Sequence, residues 1–418
     1  MGAAQRCKRG RESNVSAQVD HTGEIRSTLS AKASLSRTKV FVFSILTVCV
    51  SIGNGAAFYV GIAAQRTRGL FYYARTNQRG WTGGIHRLDA ELGYVTAPNA
   101  RGAEILGVGP DIPVRHDDDG FRIPVAGDPD AGASRARPML LTLGCSFTYG
   151  AANPAEDTYS YLVGQYVGGT ARNGGVSGYG LSQMIIRARR LVPKLKPDYL
   201  IVQYSPWLAE RALNPFAPAY FGKVPAPFFY WRGGRLGLHR PLFDSITMDV
   251  PLERYRGSTK SVANFASFFL NVGLPLLAHD DVHMALYGAG ALLGTSPPPI
   301  RRRDFAEFLG IHRHEVERFA YQEIAKVART TNTKVVAVII GAGEPGPVAD
   351  IFPDDFLIVD AQSALRRRLP DGKPQTYQHA YGHWRGVPAQ LIDGFHPNAA
   401  AHRIIAQEIA AKINEFRR

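Results

Sequence analysis

Short apolar runs alternate with amphipathic stretches over the second half of the chain, and this alternation predicts a sheet covered by helices. Helices are predicted over 158–167 and over 182–192, where Pro193 is expected to end the second. A final helix after Pro397 presents isoleucines spaced four residues apart on one face. Strands that alternate with helices are typical of a parallel sheet with both faces covered, so we predict an α/β fold class. The predicted strands are Met139–Leu143, Tyr199–Gln203, Lys334–Ile340 and Phe356–Val359.

Two segments depart from this alternation of strands and helices, and they suggest how the chain is divided into domains. Residues 66–137 are rich in Gly and Arg with few apolar runs, which predicts a lead-in of loops and short strands. The sheet-forming domain is then expected over 138–418. Within it, residues at about 205–332 are rich in proline, aromatic residues and arginine, and we interpret them as a long insertion that serves as a lid or substrate-binding subdomain.

The longest apolar run lies near the N-terminus and is too long for a strand. Residues 40–65 contain no charged side chain and are rich in Val, Phe, Ile and Ala, and a membrane-spanning helix needs about 20 residues. A cleaved signal peptide is the competing interpretation, but its apolar core is shorter, at roughly 7–15 residues, and lies closer to the start. We therefore predict a single transmembrane anchor that is not cleaved.

The charges around this run suggest its orientation. Residues 1–39 contain eight Lys or Arg and three Asp or Glu, and their composition predicts a disordered basic tail. The positive-inside tendency places such a tail in the cytoplasm and the rest of the chain on the extracytoplasmic, periplasmic side. Four arginines on the far side oppose this orientation: Arg66, Arg68, Arg75 and Arg79.

Composition narrows the classes of function. A hydrophobic content of 45% with 20% charged residues describes a globular protein. The net charge of +14 favours anionic neighbours. Beyond the tail, however, the basic residues are scattered and follow no zinc-finger or basic-zipper spacing, so we expect no nucleic-acid partner. The cysteines, Cys7, Cys49 and Cys145, form no CxxC pair, so neither a disulfide framework nor a zinc site is predicted.

A candidate nucleophile follows the first strong strand. The sequence Gly144-Cys145-Ser146 comes directly after the run that ends at Leu143, and functional groups of parallel sheets collect beyond the carboxyl ends of the strands. A serine in such a turn exposes its hydroxyl, although a helix or loop cap is the simpler interpretation of Ser146 alone. To act as a nucleophile it needs a base and a group that orients the base.

Both partners are available near the end of the chain. Asp393 and His396 are three residues apart just before the final helix. In a turn, this spacing lets the carboxylate reach the imidazole, fix its tautomer and stabilise the imidazolium. A turn aspartate and a loop histidine would be the structural alternative. Taken with Ser146, the pair predicts a Ser-His-Asp catalytic triad.

Several of these stretches resemble one family, the SGNH/GDSL hydrolases, in its membrane-anchored bacterial branch. Residues 144–150 resemble the first motif block, with Cys145 where aspartate is commoner, and residues 173–180 resemble the second. Residues 393–398 are similar to the last block. Two upstream stretches are also similar to this branch: Leu92-Gly93-Tyr94 with Pro98-Asn99, and Asp119-Gly120-Phe121-Arg122.

The resemblance implies a three-layer α/β/α flavodoxin-like fold and ester chemistry that uses no metal or organic cofactor. It also implies an oxyanion hole built from the backbone N–H groups of Ser146 and Gly178. The family's third block would add an asparagine after the second strand, where this chain has Trp207. Either the Trp207 indole or Asn214 is then expected to replace that donor.

Together these features predict a membrane-anchored serine ester hydrolase that acts on an acylated envelope glycan or lipid. Two alternatives stay open. An O-acyltransferase would use the same triad to pass an acyl group to a sugar hydroxyl. A catalytically silent glycan-binding protein is favoured by the tryptophan at position 207.

Overall fold

The computed structural model describes residues 41–42, 44–53, 80–126, 137–213, 226–232, 235–241, 303–341 and 350–418. The predicted basic tail, much of the predicted membrane segment and most of the predicted insertion lie outside these residues. Residues 44–53 are helical. Among the described residues, no helix combines the length and the apolar character needed to cross a membrane.

Residues 80–126 form six short strands. Four of them, β1, β4, β5 and β6, run antiparallel to one another at one side of the central sheet, while β2 and β3 form a separate hairpin. The sequence predicted short strands here but not their place in the main sheet. The strands are β1 (Gly80–Trp81), β2 (His86–Asp89), β3 (Gly93–Thr96), β4 (Arg101–Ile105), β5 (Ile112–His116) and β6 (Arg122–Ile123).

The other side of the central sheet is parallel. In the part of the chain that the structure describes, this sheet has nine strands, of which the five parallel ones lie in the order β8-β7-β9-β12-β13. Every residue of β7 and of β9 is buried, because central strands are covered on both faces. The parallel strands are β7 (Met139–Leu143), β8 (Thr170–Asn173), β9 (Tyr199–Tyr204), β12 (Lys334–Ile339) and β13 (Leu357–Asp360).

Two hairpins stand apart from the central sheet. One joins β10 (Phe228–Arg232) to β11 (Arg235–His239), and the other joins β14 (His383–Arg385) to β15 (Gln390–Asp393). Both are antiparallel. The second carries one of the predicted site residues at its end.

The described helices after residue 80 are α1 (Ser146–Tyr149), α2 (Tyr159–Tyr166), α3 (Leu181–Leu195), α4 (Trp207–Ala212), α5 (Arg303–Arg329), α6 (Ala361–Arg367), α7 (Pro374–Tyr381) and α8 (Ala399–Arg417). They pack in two groups. Helices α2 and α6 contact α8, whereas α3 and α4 contact α5. The isoleucine face predicted for α8 is fully buried.

The chain thus has a mixed α/β fold with a large central sheet that is parallel over five strands, as the alternating pattern predicted. The prediction that Pro193 ends its helix was wrong, because α3 continues to Leu195. A proline in the last turn removes only one intrahelical hydrogen bond. The left-handed Lys196 then closes the helix with an N–H bond to the Val192 carbonyl at 2.8 Å.

Candidate active site

The turn after β7 places Ser146 at the start of the four-residue helix α1. A side chain at Gly144 would collide with the Thr148 hydroxyl and the Gln203 amide, so the turn packs closely and requires glycine there. Gly150 ends the helix with φ +84°, in the left-handed region that favours glycine. Ser146 is buried at 6% exposure. A short helix between two glycines therefore fixes the place of its hydroxyl.

The structure brings Ser146, His396 and Asp393 together although Ser146 and His396 are 250 positions apart in the chain. His396 Nε2 lies 2.8 Å from Ser146 Oγ, and His396 Nδ1 lies 2.7 Å from Asp393 Oδ2. Asp393 ends β15, and its other oxygen accepts the backbone N–H groups of Phe395 and His396. These bonds hold the turn between the acid and the histidine.

Electrostatics keep the Asp393 carboxyl ionised. Burial alone would raise its pKa, but the hydrogen bond and charge of His396 and the two backbone N–H groups hold the pKa well below its usual range. An ionised carboxylate can only accept a hydrogen bond, so it selects the tautomer with the proton on His396 Nδ1. The Nε2 lone pair then faces the Ser146 hydroxyl. This arrangement can accept the serine proton.

The loop after β8 runs along the nucleophile helix. Val176 donates its backbone N–H to the Gly144 carbonyl at 3.1 Å. A side chain at Gly175 would collide with the backbone of α1. Gly178 has φ +82°, again in the left-handed region. Among the described residues, no acceptor is hydrogen-bonded to the backbone N–H of Ser146 or of Gly178. Both groups are available to stabilise a developing negative charge.

The strands before β7 hold this loop in place. The Tyr94 hydroxyl donates to the carbonyl of Ser177, next to Gly178, at 2.6 Å. Gln183, in the first turn of α3, accepts the Gly180 N–H and donates to the Leu92 carbonyl. The sequence alone did not predict these contacts. The signal that could have found them is the upstream stretch Leu92-Gly93-Tyr94, which the family resemblance singled out.

The other upstream stretch caps the nucleophile helix. The buried guanidinium of Arg122 donates to the carbonyls of Tyr149, Gly150 and Asn153, and it lies 4.5 Å from the centroid of the Tyr149 ring. Carbonyl groups at the end of a helix have no intrahelical partner, and a cation there is favourable. Arg122 therefore supports α1 from its carboxyl end.

Trp207 forms part of an aromatic cluster beside the triad. Its ring centroid lies 5.1 Å from that of Phe147 and 4.9 Å from that of Phe395. Phe147 in turn contacts the His396 ring at 5.3 Å. The Trp207 Nε1 atom is buried and has no hydrogen-bond partner among the described residues. The indole expected to replace an asparagine donor is thus packed as an apolar wall, and Asn214 lies outside the described residues.

Within the described ranges, no cluster of three or more His, Cys, Asp or Glu side chains could hold a metal ion. Cys145 is a buried free thiol next to Ser146.

Comparisons with known proteins gave matches in solved structures only. No family model and no curated protein matches the sequence. One similar structure is a lipolytic protein of the G-D-S-L family from Desulfitobacterium hafniense, at 10% identity and TM-score 0.31, with 66% of this chain and 99% of that chain covered.

Two acetylxylan esterases are similar at the same level. The one from Geobacillus stearothermophilus has 13% identity and TM-score 0.30, and the match covers 67% of this chain and 95% of that chain. The one from Butyrivibrio proteoclasticus has 10% identity and TM-score 0.33, with coverage of 77% and 72%. Because these likenesses are weak, the candidate function rests on the geometry of the site.

Proposed function

We propose that the protein is a serine ester hydrolase in which Ser146 is the nucleophile, His396 the general base and Asp393 the residue that orients the base. The observation that carries this proposal is the continuous hydrogen-bonded line from Ser146 Oγ through both ring nitrogens of His396 to Asp393, with contacts of 2.8 and 2.7 Å. Geometry of this kind recurs on several unrelated folds among enzymes that catalyse acyl transfer.

The reaction follows from the positions of these groups. His396 Nε2 takes the hydroxyl proton as Ser146 Oγ attacks the ester carbonyl carbon. The carbonyl oxygen becomes an oxyanion, which accepts the backbone N–H groups of Ser146 and Gly178. The imidazolium, stabilised by Asp393, gives its proton to the leaving alcohol. Water then attacks the acyl-enzyme by the same route and releases the acid.

The fold is consistent with this assignment. Numbered along the chain, the parallel strands have the order 2-1-3-4-5, which is that of flavodoxin-like sheets. The two helix groups support three layers, and the nucleophile follows the first of the parallel strands. We therefore propose the SGNH-type α/β/α fold expected from the motifs.

The substrate class is proposed from the charge and the predicted anchor. A net charge of +14 suits anionic surroundings, and the uncharged segment 40–65 has the length of a membrane span. We propose an acylated glycan or lipid of the cell envelope as the ester. The acyl-enzyme would also allow transfer to a sugar hydroxyl in place of water.

The test uses the full-length protein, a fluorophosphonate probe and a series of p-nitrophenyl esters. Wild type should be labelled and should hydrolyse short esters, whereas Ser146→Ala should do neither. The matched control is Ser363→Ala, a serine in the first turn of α6, which should be labelled as wild type is. Unchanged labelling or turnover in Ser146→Ala would refute the proposal. Product analysis with and without a polysaccharide acceptor then separates hydrolysis from acyl transfer.

A further inference from the structure

One buried side chain outside the triad binds the turn that contains Ser146 through three of its four hydrogen bonds. Gln203 lies near the end of β9, the strand next to β7, and is fully buried. Its Oε1 accepts the Cys145 backbone N–H at 3.0 Å and the Thr148 hydroxyl at 2.8 Å. Its Nε2 donates to Ser205 Oγ at 2.8 Å and to Cys145 Sγ at 3.1 Å. The amide therefore contacts the residues on both sides of Ser146.

A primary amide can donate two hydrogen bonds and accept two, and here all four are made. The strand itself does not need them, because its backbone is paired on both sides, to β7 and to β12. The surroundings are an apolar core, where a side chain such as methionine would avoid the cost of desolvating an amide. The presence of an amide at position 203 is therefore explained by its hydrogen bonds to Cys145 and Thr148.

The network reaches a third strand. Ser205, which accepts from Gln203, donates to the carbonyl of Ile340 just after β12. From the opposite side, the Tyr321 hydroxyl donates to the Gln203 backbone carbonyl at 2.7 Å. The carboxyl ends of β7, β9 and β12 are thus linked through one amide. A shift of that amide would move the turn relative to the sheet.

We propose that Gln203 is a positioning residue for the reaction of Ser146. By holding the N–H and sulfur of Cys145 and the hydroxyl of Thr148, it fixes the turn so that Ser146 Oγ stays within bonding distance of His396. It also leaves the Ser146 backbone N–H available for the oxyanion. This role rests on the proposed function, since it has meaning only if Ser146 reacts.

The first test replaces the amide by an apolar side chain of similar length. In full-length Gln203→Met, kcat for a short p-nitrophenyl ester should fall by about 100-fold with KM within about threefold, because a small misplacement of a reacting atom costs rate more than binding. Fluorophosphonate labelling should slow by a similar factor. The control Gln362→Met removes another buried glutamine, which accepts the Gly341 N–H at 3.0 Å, and its kcat should stay within about twofold.

The second test distinguishes positioning from a general loss of packing. The carboxyl of Gln203→Glu can still accept from Cys145 and Thr148, and when protonated it can also donate once. Burial favours the protonated form. The kcat of Gln203→Glu relative to that of wild type should thus be highest at low pH and decline as the introduced carboxyl ionises. Should Gln203→Met fail to fold, this pH profile carries the test.

The outcomes separate the two proposals. A kcat within about twofold of wild type in Gln203→Met, or equal losses in Gln203→Met and Gln362→Met, would overturn the positioning role. A Gln203→Glu profile parallel to wild type would also overturn it. Ser146→Ala is measured alongside. If its turnover is unchanged, the proposed function fails, and the positioning role fails with it.

Discussion

Two neighbouring segments at the carboxyl edge of the sheet, after β7 and after β9, hold their side chains by different interactions. After β7, the Thr148 hydroxyl makes two side-chain hydrogen bonds, to Tyr159 at 2.7 Å and to Gln203 at 2.8 Å, and Ser146 bonds to His396. After β9, the Trp207 indole N–H has no partner among the described residues and is surrounded by aromatic rings. Hydrogen bonds thus hold Ser146 and Thr148 in the first turn, whereas aromatic packing holds the Trp207 ring after β9.

The difference indicates that the two segments have different roles in the site. A buried donor without a partner costs about 1–3 kcal/mol, and packing of the Trp207 ring against Phe147 and Phe395 offsets this cost. We therefore expect the Trp207 ring to serve as an apolar wall, and the negative charge of the proposed reaction to be stabilised by the two backbone N–H groups of Ser146 and Gly178. The following substitutions test this difference in roles, beginning with the largest expected effect on kcat.

Replacing Asp393 by asparagine should nearly abolish catalysis. The amide oxygen can still accept the N–H groups of Phe395 and His396, so the turn is preserved, but the charge is lost and the wrong histidine tautomer is favoured. We expect kcat to fall by roughly 10⁴-fold, as in other triads that lose this carboxylate. The control is Asp360→Asn at the N-cap of α6, where either side chain accepts the Ser363 N–H. A loss below about tenfold in Asp393→Asn would contradict the triad.

Removing the Tyr94 hydroxyl tests whether side-chain hydrogen bonds also position the loop that contains Gly178. In Tyr94→Phe the Ser177 carbonyl loses its donor, which costs about 1 kcal/mol and should lower kcat about fivefold. Tyr381→Phe is the matched control, because the hydroxyl of this buried tyrosine also donates to a backbone carbonyl, that of Leu365, at 2.9 Å. Equal kcat values in the two variants would show that the loop does not depend on Tyr94.

Replacing Trp207 by phenylalanine should have the smallest effect. The phenyl ring keeps part of the packing against Phe147 and Phe395 and removes an N–H that has no partner among the described residues, so kcat should stay within about twofold. Unfolding in denaturant provides a second readout against Trp384→Phe, since the Trp384 indole donates to the Gln378 carbonyl at 3.0 Å. Trp384→Phe should lose about 1 kcal/mol of unfolding free energy for that bond, whereas any loss in Trp207→Phe should come from the smaller ring alone. A fall in kcat above about tenfold would identify the Trp207 indole as an oxyanion donor.

The sequence predicted those parts of the fold in which local pattern and burial coincide. Strands β7, β9 and β12 are apolar runs because both of their faces are covered. Strand β8 escaped prediction because Thr-Ala-Arg-Asn contains no apolar run and only Asn173 is buried. For the antiparallel strands before β7, the sequence predicted only loops and short strands, since pairing between distant strands leaves no local pattern.

The candidate site shows the same limit. The motifs around Ser146, Gly178 and His396 are local in sequence, so the sequence alone could propose these residues. The sequence predicts Gln203 only as the last residue of a strand, because the four hydrogen bonds of its amide go to three residues in two separate parts of the chain. Trp207 was considered as a donor, and only its packing against Phe147 and Phe395 favours a wall.

The 250 positions between Ser146 and His396 have a consequence for the synthesis of the protein. At about 5–20 residues per second, a ribosome needs roughly 10 to 50 seconds to cover that length. During this interval the nascent chain contains Ser146 but not His396. Under the proposed mechanism the protein is therefore inactive while it is being made, and hydrolysis begins only when the last helix has been synthesised and has docked.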